Sequence, residues 1–324
     1  MNIPRNFVRA LSILGLTLAL TLPSVHAFDG PEASPEKEQE LLTVLRSDAP
    51  SGDKAIACKN LAIYGSSAAV ADLAKLLPDA QLSSWARIAL ESIPGQEADE
   101  ALRTATDSLE GKLLVGTINS IGVRRDAKAV EALSPKLQHV DAEVASAAAV
   151  ALGRIGNAAA ADSLRKSLAA APANVRTSIA EGCVLCAERL MAEGKSAGAV
   201  AIYDEVRVAE VPMQRIVEAT RGAILARGQD GIPLLLEQFK SPQKQLFQLA
   251  LTTAREFPGG EVDKALVAEL KRTTPDRAAL VVQAMADRPA TVVLPAVLKA
   301  AEEGPKEVRL SAIDALAQIG RAHV

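Results

Sequence analysis

Histidine is almost missing from these 324 residues: three in all, His26, His139 and His323. His26 falls in an N-terminal leader and His323 beside the C-terminus, so His139 alone is left for imidazole chemistry. A Ser-His-Asp or Cys-His arrangement would have to use it, and no partner pattern surrounds it. It lies in a polar turn before Asp141 and reads as solvated. Aromatics make up 2% of the chain. Carbohydrate and single-stranded nucleic-acid sites rely on aromatic platforms, so both are disfavoured. Basic charge is not in excess either: 36 Lys and Arg face 39 Asp and Glu, a net −3. Such a surface offers phosphates no electrostatic footprint and contains no polybasic membrane patch. The sequence has no phosphate loop, no dinucleotide fingerprint and no metal-ligand cluster. Sustained period-2 alternation is missing as well, and Ala and Lys are poor strand formers, which argues against a β fold.

Cysteine is scarce, with three residues. Cys183 and Cys186 form a Cys-x-x-Cys pair. Haem attachment needs His at the next position, and Ala187 stands there. Zinc needs two further ligands, and none lies nearby in sequence. A redox pair favours a helix N-terminus, whereas this pair falls about two turns into a helical pattern. Both cysteines, with Gly182 and Leu185, read as small buried residues in a tight seam; Cys58 reads the same way. These observations predict no cofactor, no metal and no catalytic residue.

Long apolar runs are confined to the start. Arg5 and Arg9 precede Leu11–Leu22, and Val25-His26-Ala27 has small or permitted residues at the −3 and −1 positions. This predicts a secretory signal, residues 1–27, cleaved after Ala27. An uncleaved anchor is the alternative, disfavoured because twelve apolar residues are short for a bilayer. Cleavage removes two arginines and no acids, taking the net charge from −3 to −5. The mature chain is then expected to be soluble and exported, periplasmic or extracellular. Residues 28–35 (FDGPEASP) read as a flexible lead-in.

What the chain has in abundance is one recurring pattern. A polar or Pro-containing start leads into an apolar-periodic helix that closes on Ile-Gly or a near equivalent. It is plainest at 307–320 (EVRLSAIDALAQIG) and at 143–156 (EVASAAAVALGRIG), and recurs in worn form at 112–122 and 83–95. Closing residues fall at Gly65, Gly95, Gly122, Gly156, Gly194, Gly228, Gly259, Arg288 and Gly320. Their mean spacing of about 32 residues is the length of two short helices and two turns. Each Gly is expected to supply the left-handed residue that ends a helix. Pro172, Pro212, Pro242, Pro275 and Pro305 mark the starts of second helices. The expectation is an all-α, right-handed α-solenoid of about nine hairpins over residues 36–320, in which each unit packs only on its neighbours.

Other residues take unremarkable places in this reading. Trp85 and Tyr203 fall on apolar helical faces and are expected to pack. Arg124-Arg125-Asp126 is expected to be a solvated inter-helix turn, with an anion site at the following helix N-terminus as the weaker alternative. Asp99-Glu100 and Glu302-Glu303 are expected in turns at the surface.

The closures, and the helix that restarts at 127–133 (AKAVEAL), resemble HEAT repeats of the short, Gly-terminated bacterial type. The spacing Leu190-x3-Gly194-x4-Ala199-x3-Tyr203 resembles half of a tetratricopeptide hairpin and predicts one irregular unit. The segments 109–127 (LEGKLLVGTINSIGVRRDA) and 186–190 (CAERL) resemble exported HEAT-repeat proteins of planctomycete and verrucomicrobial bacteria. The resemblance implies a non-catalytic, protein-binding scaffold that holds a partner, or a covalently linked module, along a concave face lined by second helices. The alternative is the accessory region of a longer exported enzyme or c-type cytochrome. Residues 321–324 (RAHV) follow the last closure with no polar capping helix. They read as a gene-model artefact, against the alternative of a natural short tail.

Overall fold

A computed structural model of the chain describes residues 34–322. The signal and most of the lead-in, His26, His323 and Val324 lie outside the described residues. Eighteen α-helices are found among the described residues, and no strand. They pair as nine hairpins: α1 (Pro35–Arg46) with α2 (Ser51–Tyr64), α3 (Val70–Ala74) with α4 (Ser83–Ser92), α5 (Gln96–Ala105) with α6 (Gly111–Arg124), α7 (Val130–Leu133) with α8 (Ala142–Ile155), and α9 (Ala158–Leu168) with α10 (Ala173–Ala192). The series continues with α11 (Ser196–Arg207) and α12 (Met213–Ala226), α13 (Ile232–Phe239) and α14 (Lys244–Glu256), α15 (Glu261–Leu270) and α16 (Pro275–Ala286), and α17 (Leu294–Glu303) and α18 (Lys306–Ala322).

Every even-numbered helix packs on the next even-numbered one, from α2 through to α18, so the second helices form one continuous layer. The odd-numbered helices lie beside it. The apolar core between them falls into two clusters that meet inside α12, one running from Leu41 to Ala223 and the other from Ile224 to Ile319. Leu61, Leu90, Ile118 and Leu152 occupy equivalent places in four successive second helices, and each is 0% exposed. Burying such a side chain is worth roughly 1.5–3 kcal/mol, so this repeated position carries much of the stack.

Local chemistry sets the ends of the helices. Asp141 and Asn157 accept from the amides of Glu143 and Ala160, both at 2.8 Å, and so cap α8 and α9. Pro172 and Pro212 stand at the N-caps of α10 and α12, and Pro275 is the first residue of α16, as their sequence positions predict. Gly156, Gly194, Gly228 and Gly259 take the expected left-handed conformation.

Four closures differ from expectation, and the first, Gly95, has φ 108° with an extended ψ of 165° and stands at the N-cap of α5. Gly65 has an ordinary φ of −77°. Gly122 and Gly320 lie inside α6 and α18, so neither ends its helix. After α6 the left-handed residue is Arg125, φ 54°. Gly122 is small for another reason: a Cβ there would meet the Ala151 Cα of α8 at 2.9 Å. Helix α18 also runs through Arg321, so the supposed tail begins as helix.

Gly194 closes α10 with the amide of Lys195 on the carbonyl of Leu190 (2.8 Å), and α11 then packs back on α10. Tyr203 is 4% exposed, and its ring lies in contact range over Gly222 of α12. The irregular unit is therefore an aromatic plug over glycine, made between α11 and α12.

Candidate protein-binding surface

The residues singled out for chemistry are not brought together. Cys183 and Cys186 lie buried where α10 crosses α8, with the Cys186 Sγ 3.8 Å from the carbonyls of Leu152 and Gly153. Burial pushes both thiols up to about 12, and Cys58, buried under α2, to about 11. A buried thiol ionises later than the same thiol in the unfolded chain. Stability is therefore unaffected below the ordinary thiol pKa of about 9 and falls as pH rises from there toward 12. The native protein should resist iodoacetamide at pH 8 and label at all three thiols once unfolded, as read by mass spectrometry. Rapid labelling of the folded chain would contradict this burial. His139 is exposed, and its Nδ1 accepts from the amide of Asp141 at 3.0 Å.

Two expectations about charge are corrected. Arg124 is not a solvated turn residue. Its side chain is 9% exposed and pairs with Asp99 of α5 at 2.5 Å. The same guanidinium donates to the carbonyls of Leu90 and Ile93 (2.6 Å each) and of Gly95 (2.9 Å). It thus satisfies the orphan carbonyls at the end of the preceding second helix, α4. Asp99 lies in a helix and belongs to this network. Asp126 pairs with Arg103 and accepts from the amide of Lys128 at 3.0 Å, so its own carboxylate occupies the helix start proposed for an anion. Glu302 and Glu303 are exposed but helical, at the end of α17.

Trp85 is the third correction. It is 38% exposed and does not fill the core. It is one of five large apolar residues exposed on three neighbouring second helices: Ile56 (60%) and Ile63 of α2, Trp85 and Ile88 (45%) of α4, and Val123 of α6. On α2 the two isoleucines sit opposite the buried stripe of Ala57, Cys58 and Leu61. The sequence contained the signal, because α2 and α4 carry apolar residues on two faces. Periodicity alone assigns both faces to core.

The same helices carry polar groups. Arg87 lies between α4 and α6 and donates to the Gly116 carbonyl (3.0 Å) and the Ser120 hydroxyl (3.3 Å). Ser120 in turn donates to Glu91 at 2.6 Å. Desolvation lowers the Arg87 pKa, with Glu91 opposing. Lys59 and Lys112 are exposed on α2 and α6 with no carboxylate partner among the described residues. Farther along the layer, α8 and α10 show Glu143, Arg154, Asn174 and Glu188 to solvent, so apolar exposure there gives way to polar groups.

The clefts between hairpins offer less. One of about 440 Å³ is bounded by Arg165, Arg176, Val208 and Glu210, but its arginines are already paired with Glu205 and Glu210. No group of three or more His, Cys, Asp or Glu suited to a metal occurs among the described residues, and no described helix is long and apolar enough to cross a membrane.

A stack of helical hairpins whose second helices form one continuous layer defines an α-solenoid, a class built to present extended surfaces. The family model described as HEAT repeats matches residues 110–182, from the start of α6 into α10. The chain thus carries HEAT repeats there, within an all-α array of HEAT-like hairpins. Among solved structures, Kap95p bound to RanGDP is similar at TM-score 0.51 and 13% identity, over 88% of this chain and 45% of that one. An engineered protein matches at TM-score 0.40 and 20% identity, over 87% and 88% of the two chains. Human deoxyhypusine hydroxylase with glycerol matches at TM-score 0.37 and 19% identity, over 79% and 97%. No curated protein matches the sequence.

Proposed function

We propose that this chain is a non-catalytic scaffold, exported in the manner of the planctomycete and verrucomicrobial proteins it resembles, that holds a protein partner or linked module on its second-helix layer. The observation that carries the reading is the exposure of Ile56, Ile63, Trp85, Ile88 and Val123 on the adjacent second helices α2, α4 and α6. Isolated exposed apolar residues need no explanation, but five large ones gathered on three adjacent helices favour an interaction surface. With Lys59 on α2 and Lys112 on α6 also exposed, this part of the layer suits an amphipathic segment that presents apolar side chains between carboxylates.

The test uses the chain recovered from the exported fraction of its own cells, where the signal reading places the mature N-terminus at Phe28. A photocrosslinker at position 88 should give one saturable adduct with a single partner. Ile56→Asp with Ile63→Asp should remove that adduct. A crosslinker at Glu131, on α7 of the odd-numbered layer, should give none. Equal adducts from both layers, or retention of residues 1–27 in the mass of the exported chain, would defeat the binding and export readings respectively.

A further inference from the structure

We propose that Arg87, seated on Gly116 of α6, anchors a side-chain carboxylate of the docked segment, an Asp or Glu presented beside the segment's apolar residues. This contact rests on the docking reading above and sets its specificity.

The seat is built across two hairpins. Gly116 stands in the middle of α6, where glycine weakens a helix and ends nothing. A Cβ there would lie 2.6 Å from the guanidinium carbon of Arg87, and 2.8 and 2.9 Å from its Nη2 and Nε. The missing side chain is therefore the space in which the Arg87 guanidinium, reaching over from α4, lies against the α6 backbone. Nη1 donates to the Gly116 carbonyl and the Ser120 hydroxyl, both neutral acceptors.

No counter-charge comes with the seat. Among the described residues the other partly or fully buried arginines pair with a carboxylate, as Arg103, Arg124, Arg215 and Arg288 do, with one exception. The exception, Arg277, donates to two carbonyls through separate nitrogens and lies 4.4 Å over the ring of Phe247. Arg87 is less well provided. Its Nε is buried without an acceptor, one of two such side-chain atoms among the described residues, and its Nη2 makes no hydrogen bond yet is open to solvent. Glu91, one turn on along α4, accepts from Ser120 at 2.6 Å and forms no ion pair with Arg87. A half-buried cation without a counter-ion is unfavourable by itself, and a carboxylate brought to it gains a charge-assisted hydrogen bond in a partly desolvated place.

The neighbours favour a protein carboxylate over a free anion. Ile88, 45% exposed, directly follows Arg87 in α4. Lys112, exposed and without a carboxylate partner among the described residues, lies one turn before Gly116 on α6. A segment that covers Ile88 with an apolar side chain brings its adjoining residues to Nη2, a contact that a small anion does not make.

Trp85, the single tryptophan of the chain, reads the test by its fluorescence. Two helical peptides with blocked ends are titrated into the purified chain at physiological salt. One has leucines at i, i+3, i+4 and i+7 with a single central glutamate, and the other has glutamine in its place. The glutamate peptide should bind about tenfold or more tighter. Arg87→Met should make the two peptides equal, and Arg87→Lys should keep part of the difference, because an ammonium retains the charge but not the planar fork. Gly116→Ala should also abolish the preference. It keeps the arginine but fills its seat, and alanine favours the helix, so circular dichroism should be unchanged. Equal binding of the two peptides to the wild type, a preference that survives either Arg87→Met or Gly116→Ala, or binding of neither peptide would each overturn the proposal. Displacement of the glutamate peptide by millimolar inorganic phosphate would overturn it as well, by making the seat a free-anion site. The docking reading is decided separately, by the adduct at position 88.

Discussion

Replacing Arg288 by methionine should destabilise the C-terminal third of the array by about 3–5 kcal/mol, the cost of breaking a buried ion pair from one side. Arg288 follows α16 and is 7% exposed. Its guanidinium binds Asp263 of α15 through two bonds, at 2.7 and 3.1 Å. It also donates to the carbonyls of Ala254 (2.8 Å), Phe257 (2.6 Å) and Gly259 (2.7 Å), which end the preceding second helix, α14. Methionine keeps much of the side-chain volume but leaves a carboxylate that is 0% exposed, and three carbonyls, without this donor. Arg288→Lys should recover only part of the loss, because one ammonium cannot reach all five acceptors in a planar fork. Arg288→Met with Asp263→Ala should cost less than the sum of the two single changes, since the stranded charge is gone. Urea denaturation of the wild type and the four variants checks this. A loss below about 1 kcal/mol for Arg288→Met, the range of an exposed pair, would refute the buried role.

Gly182→Val should open the seam between α8 and α10. The two helices approach so closely that a Cβ on Gly153 would lie 2.6 Å from the Gly182 Cα and 2.7 Å from its carbonyl oxygen. A Cβ on Gly182 would meet the backbone of Ala149, which cannot turn aside as a side chain can. In a free helix, Gly→Ala gains about 1 kcal/mol from propensity. Overpacking a filled interface costs about 1–3 kcal/mol, so the net effect of alanine here is destabilising, and valine adds further volume. We expect a loss of about 3 kcal/mol or more for Gly182→Val, accompanied by iodoacetamide reaching Cys183 and Cys186 in the folded state. Gly52→Ala is the control of opposite sign. Nothing lies within 4 Å of a Cβ there, so it should gain about 0.4–1 kcal/mol. Unchanged thiol protection and stability in Gly182→Val would show that the seam is looser than its backbone geometry implies.

Amino-acid order alone determined the array: about nine hairpins with a repeat near 32 residues, and several of their boundaries. Those signals are local. A Pro before Ala173 or Met213, an Asp or Asn cap before α8 or α9, and a left-handed Gly after α8 act within a few residues of the chain. Apolar periodicity fixed which face of each helix turns inward, because burying that stripe is the dominant gain.

Only the tertiary structure decided what residues do across repeats. Gly122 reads as a helix end, yet it is a contact with Ala151, since the residue that packs on it belongs to the next hairpin. Arg124 and Arg288 read as a turn charge and as a substitute for glycine. Their role follows from carbonyls about thirty residues earlier, brought within reach by stacking. Trp85, Ile56 and Ile88 satisfy the same periodic rule as core residues, and whether an apolar residue is covered depends on a neighbour that the rule does not see. Pairwise contacts between distant segments carry no local signature, so the chain's fold was legible in its order while its surface was not.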